Sequence, residues 1–134
     1  DVNLITLSNP RVKFYEEDIL KWSPNLVKEI QGCDTAIPLA ALVGFPCCES
    51  NKTYCWDLNY FWFEKFKSLL DDQTVFYGNS NSAYGSSPDP MDETSPLNPL
   101  SEYAKSKQQT EELLKDYHKF FCINFNASCL RASI

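Results

Sequence analysis

Residues 35–42 are almost continuously apolar, and on both sides of that run the apolar residues fall at helical spacing. Such a run suits a strand buried on both faces, as in a parallel sheet covered by helices. Upstream, residues 21–30 carry Trp22, Leu26, Val27 and Ile30 at the period of a helix, with Gly32 as its stop. Downstream, residues 54–70 are aromatic-rich, and Leu58, Phe61, Trp62, Phe66, Leu69 and Leu70 again follow a helical period. Shorter β-forming runs lie at residues 12–15 and 75–77, and residues 122–130 read as a closing strand. Pro38 cannot donate to a ladder, which places it at a strand's end.

Strand and helix alternate along the whole chain, and the alternation predicts a parallel α/β sheet with strands at 12–15, 35–39, 75–77 and 123–125. Ligands of such sheets sit beyond the carboxyl ends of the strands. The residues to inspect are therefore Asp18-Ile19, Leu39-Ala40-Ala41 and Gly78-Asn79-Ser80. Residues 78–99 are rich in Ser, Asn, Gly and Pro and read as a long functional loop. A helix follows from Pro99 or Ser101 to about Lys119, with Tyr103, Lys107, Thr110, Leu114 and Tyr117 on or near one face.

With 134 residues the chain suits a single domain. Its net charge of −6 argues against nucleic acid, whose phosphates need Lys and Arg. No run approaches the roughly 20 apolar residues that span a bilayer, so no membrane partner is expected. The start shows no signal-peptide pattern. The six cysteines lie in apolar stretches without zinc spacing, and they read as reduced structural thiols of a cytoplasmic protein with no metal site. Asn51 and Asn126 each open a glycosylation triplet, which matters only in a secreted chain. Cys47-Cys48 reads as packing, and His118, the single histidine, as a surface residue.

Tyr103 and Lys107 are four apart on the expected helix and therefore share a face. A free tyrosine has a pKa of about 10, and a nearby ammonium lowers it. Such a pair moves a proton to or from an alcohol while a cofactor moves hydride. Ser80, at the end of the preceding strand, is placed to hold the substrate oxygen.

The order of these parts within their flanks is what is specific. FYGNSNSAYGSSPDPMDETSPLNPLSEYAKSK, running from Phe76 to Lys107, resembles extended short-chain dehydrogenase/reductases of the NAD-dependent epimerase/dehydratase family. That family has a Ser/Thr segment ending in V-Y-G, an acidic E-T/S-P loop, and Y-x-x-x-K. FYEEDIL resembles its third strand, DTAIPLAALVG its fourth, DLNYFWF its D-x-N helix, and LRASI the strand after the Tyr-Lys helix. The resemblance implies Ser80, Tyr103 and Lys107 as the catalytic residues. It implies Asp18, Ile19, Leu39, Ala40, Ala41, Asn59 and Gly78, with Tyr103 and Lys107, as cofactor-binding residues. The implied cofactor is NAD or NADP, the implied substrate a nucleotide sugar, and a homodimer is compatible with the resemblance.

Departures from the pattern sharpen the expectation. The sequence has four glycines and no G-x-x-G-x-x-G. It therefore reads as an incomplete NAD(P)-binding Rossmann-like domain over residues 1–134. It is a partial doubly wound parallel sheet that lacks the first βαβ unit and the C-terminal substrate domain. Asn81 and Ser82 stand where sugar 4,6-dehydratases carry an acidic pair, which favours epimerase or reductase chemistry over dehydration. Pro38 replaces a histidine, and Phe61-Trp62-Phe63 replaces a smaller segment. The alternative function is a non-catalytic binding or interaction protein on the same fold.

Overall fold

A computed structural model describes residues 10–88, 90–92, 94–124 and 130–132. The chain runs through α1 (Pro24–Gly32), β1 (Thr35–Ala36), α2 (Phe45–Ser50), α3 (Lys52–Trp56), a π-helical segment (Asp57–Phe61) and α4 (Trp62–Leu69). It continues through β2 (Thr74–Asn79), a 3-10 turn (Asn81–Tyr84), α5 (Glu102–Leu114), β3 (Phe120–Asn124) and β4 (Leu130–Ala132). The sheet order is β1-β2-β3-β4. β1 runs parallel to β2 and β2 parallel to β3, whereas β4 pairs antiparallel with β3.

The expected parallel α/β arrangement is present, with altered edges. β1 stops after Ala36, two residues before Pro38, whose missing N–H closes the ladder there. Residues 12–15 form no strand. They are exposed, and Tyr15 and Lys13 reach instead to Glu29 of α1, the tyrosine hydroxyl donating at 2.7 Å and the lysine pairing at 3.7 Å. β-forming residues need a neighbouring strand before their propensity counts. The closing strand begins at Phe120, earlier than the sequence suggests, while residues 125–129 lie outside the described residues. Residues 1–9 also lie outside them.

Helix α1 starts where Ser23 accepts the Leu26 N–H at 3.1 Å, with Pro24 in the first turn. Helix α5 starts in the same way, with Ser101 accepting from Ala104 at 3.1 Å. Strand β2 buries Val75, Tyr77 and Asn79 and leaves Thr74, Phe76 and Gly78 half-buried. The core lies against that buried face. It joins Trp62, Phe63 and Phe66 of α4, Val75 and Tyr77 of β2, Leu114 of α5, and Phe120 and Cys122 of β3. On the other face Phe76 stacks on Phe121, with centroids 5.2 Å apart.

The helical stretch expected over residues 54–70 is three elements. In its middle the backbone widens, and the Trp62 N–H reaches back to Asp57 O. The carbonyls loosened there are taken by side chains. The Trp62 indole donates to Leu58 O at 2.6 Å, and Thr110 of α5 donates to Asn59 O at 2.6 Å. Of the bulky triplet, Trp62 and Phe63 enter the core and Phe61 points outward, 51 % exposed.

Candidate active site

At the carboxyl end of β2, Asn79 fixes the turn. Its Oδ1 accepts the Ser80 N–H at 2.8 Å, and its amide donates to Glu111 of α5. Ser80 is the N-cap of the 3-10 turn, with its hydroxyl accepting from the Ser82 N–H at 3.3 Å and the Ser82 hydroxyl at 3.1 Å. Gly85 closes the turn at φ 75, and a Cβ there would lie 2.2 Å from Asn98 O. Asn98 in turn donates its N–H to Ala83 O at 2.9 Å. The end of the long loop is thereby pressed against the turn that carries Ser80.

Tyr103 stands in the first turn of α5, against the turn that begins at Ser80, and the Ser80 hydroxyl is near enough to influence its phenol. These two residues are brought together. Lys107 is one turn further along, 6 % exposed, with its ammonium 4.1 Å above the centroid of the Tyr77 ring. Half-burial pushes the Tyr103 phenol above its ordinary value, Ser80 opposes the rise, and the Cys48 and Cys55 thiols add to it. The expectation that Lys107 draws this phenol down is therefore corrected. The ammonium lies over a different ring, and desolvation decides at Tyr103. Burial pulls Lys107 itself down to about 8.

The positions expected near the cofactor's adenosine divide. Asp18 is exposed, accepts the Leu20 N–H at 3.0 Å and faces Lys21 at 3.3 Å. That backbone hydrogen bond, first among its neighbours' effects, holds its carboxyl below the ordinary value. Leu39, 64 % exposed, and Ala40 stand open beyond β1, and Ala41 is half-buried. Ile19 is instead one wall of an apolar cavity of about 200 Å³, shared with Trp22, Leu26, Ile30, Pro38 and Trp62. Gly78 is within β2, opposite Ile123 of β3.

Asn59 is fully buried and its amide is already engaged. Its Oδ1 accepts the Leu42 N–H at 2.8 Å, while its Nδ2 donates to Leu42 O at 3.0 Å and Ser106 Oγ at 3.2 Å. It holds the backbone beyond Leu39–Ala41, next to the positions expected at the cofactor.

Sequence reasoning missed Tyr77, the bed of Lys107, and the buried pair Ser106 and Thr110. Thr110 shares the lysine's side of the helix in the sequence pattern, and a small polar residue on a buried face demands a buried partner. The five described cysteines are free. Burial pushes the Cys48 and Cys122 thiols up to about 12, so neither is a nucleophile at neutral pH. His118 is exposed, with its Nε2 3.3 Å from Asp72. Among the described residues there is no metal-ligand cluster, and no helix is long and apolar enough to cross a membrane.

Comparison with known proteins gives these positions a context. The model of the NAD dependent epimerase/dehydratase family matches residues 2–133. A putative UDP-glucose 4-epimerase of Methanocaldococcus jannaschii is 28% identical over 123 residues, covering 87% of this chain and 40% of that protein. The UDP-glucuronic acid 4-epimerase of Bacillus cereus, solved with UDP-glucuronic acid and NAD, aligns at a TM-score of 0.80 and 22% identity. That alignment covers 90% of this chain and 41% of that one. A double mutant of the dTDP-glucose 4,6-dehydratase DesIV of Streptomyces venezuelae, solved with NAD, aligns at 0.77 and 25% identity, over 86% and 37% of the two chains. The chain thus spans about 40% of the length of the relatives it matches. With residues 2–133 matched by the family's model and its parallel α/β core in place, the chain belongs to the NAD dependent epimerase/dehydratase family.

Proposed function

We propose that this chain carries the Ser80–Tyr103–Lys107 site of an NAD(P)-dependent nucleotide-sugar epimerase or reductase. The observation that carries the reading is the packing of the turn that begins at Ser80, at the end of β2, against α5, which puts the Ser80 hydroxyl close enough to act on the Tyr103 phenol. In this reading Ser80 holds the sugar hydroxyl and Tyr103 receives or returns its proton at the phenol oxygen. The half-buried phenol keeps its proton at neutral pH, which suits it to donate when a carbonyl is reduced. Lys107 supplies a desolvated ammonium on the same helical face, suited to the hydroxyls of a ribose.

The residues present fit the two ends of a dinucleotide and not its pyrophosphate. Tyr103 and Lys107 would hold the nicotinamide side, and Asp18 with the open backbone at Leu39, Ala40 and Ala41 would meet the adenosine side. No glycine turn of the kind that cradles a pyrophosphate occurs in the 134 residues. When bound, the cofactor would supply the hydride acceptor in its oxidised form and the hydride donor in its reduced form. Asn81 and Ser82, which carry no carboxyl group, support epimerase or reductase chemistry over dehydration.

The test is to incubate the complete product of the gene with NAD and, in turn, UDP-glucose, UDP-glucuronic acid and dTDP-glucose, and separately with NADH or NADPH and the 4-keto forms of these sugars. Appearance of a 4-epimer in the first set, or of a reduced sugar with matching oxidation of NADH or NADPH in the second, is expected. Recovery of all three sugars unchanged, with NAD demonstrably bound, would favour a non-catalytic binding protein.

A further inference from the structure

Resting on that reading of the site, we propose that Tyr77 is a positioning residue for Lys107. Its ring face carries the ammonium and its hydroxyl holds the same residue's carbonyl. The two contacts are independent. Nζ of Lys107 lies 4.1 Å from the ring centroid, and the Tyr77 hydroxyl donates to Lys107 O at 3.2 Å. One buried side chain of β2 thus grips the lysine at its tip and at its root.

The ring cannot turn away. Tyr77 is fully buried, and Phe63 meets it edge-on with centroids 5.4 Å apart at 90°. Phe120 closes it from β3 at 6.3 Å. A cation held on the face of an aromatic ring is favoured most where water is excluded, and Lys107 is almost wholly buried. Titratable groups stand around Lys107 on two elements. From β3 comes Cys122, whose thiol burial keeps protonated; from α5 come Tyr103, one turn before, and Glu111, one turn beyond. Of these, Cys122 and Tyr103 carry no charge at neutral pH. The hydroxyl contact fixes where the lysine leaves the helix, and the ring contact fixes where its charge ends.

The test reads the lysine and not the reaction. The 134-residue chain is prepared with lysine labelled with ¹³C at Cε, and the Lys107 signal is assigned by its loss in Lys107→Arg. Tyr77→Phe keeps the ring face, so the Lys107 titration should move little. Ring-fluorinated phenylalanines at position 77 then withdraw electron density from the face at nearly constant volume. The Lys107 midpoint should fall stepwise with fluorination, by about one pH unit in total. Circular dichroism verifies that each variant is folded. A midpoint indifferent to fluorination in folded variants overturns the proposal. If the midpoint moves but Lys107→Met leaves turnover of the complete gene product intact, the catalytic reading of the site is what fails.

Discussion

At the scale of single residues, burial and backbone geometry set the testable quantities. Lys107 titrates near 8 in the folded chain, against about 10.4 for a free lysine. Below about pH 8 the folded state therefore holds a charge in a poor solvent, at a cost on the order of 3 kcal/mol. The cost fades as pH rises from 8 to about 10.4, where the unfolded chain also loses its proton. Lys107→Met should stabilise the fold at pH 7, and the gain should vanish above about pH 10.4; urea midpoints of both proteins across pH measure it. Gly85 makes the opposite case. Its φ of 75 and the 2.2 Å approach to Asn98 O leave no place for a Cβ. Gly85→Ala should lower stability by more than about 1 kcal/mol and, by displacing Asn98, loosen the Ser80 turn, visible as faster proteolysis of the loop at residues 86–97.

At the scale of elements, the π-helical segment joins the sheet's edge to α5. Asn59 binds both backbone groups of Leu42, and Thr110 binds the carbonyl of Asn59. Thr110→Val keeps the shape but leaves that buried carbonyl without its donor, and should lower stability by about 1–3 kcal/mol in urea denaturation. Asn59→Ala should release Leu42, so that its amide exchanges with solvent faster while those of β2 do not. The element order was legible in the sequence because helical and extended periods alternate, and caps such as Ser23 and Ser101 act locally. The π-helical widening was not legible, because it depends on Trp62 turning its indole onto Leu58 and on a threonine from a distant helix. Helix α2 was missed for a similar reason: it is six residues long and its only core residue is Cys48. Residues 12–15 misled because their β-formers find no strand to pair with.

At the scale of the whole molecule, packing sets the turn that begins at Ser80 against α5. Ser80 and Tyr103 are 23 positions apart, and the sequence indicated their shared place through strand-end logic and family resemblance. The bed under Lys107 escaped, since Tyr77 reads as any strand residue until the helix is laid across it. With no glycine turn in its 134 residues, the chain by itself should bind NAD weakly, and calorimetry showing low-micromolar affinity would contradict that. The most direct measurement of the central claim is steady-state turnover of the complete gene product with Tyr103→Phe, on whichever nucleotide sugar it converts. The ring keeps its volume and loses only its hydroxyl, so the melting temperature should barely move. Turnover should fall by roughly 10²–10⁴-fold, the scale of a lost general acid or base. Turnover near the unsubstituted level would contradict the account and leave Tyr103 as part of a helix surface beside Ser80.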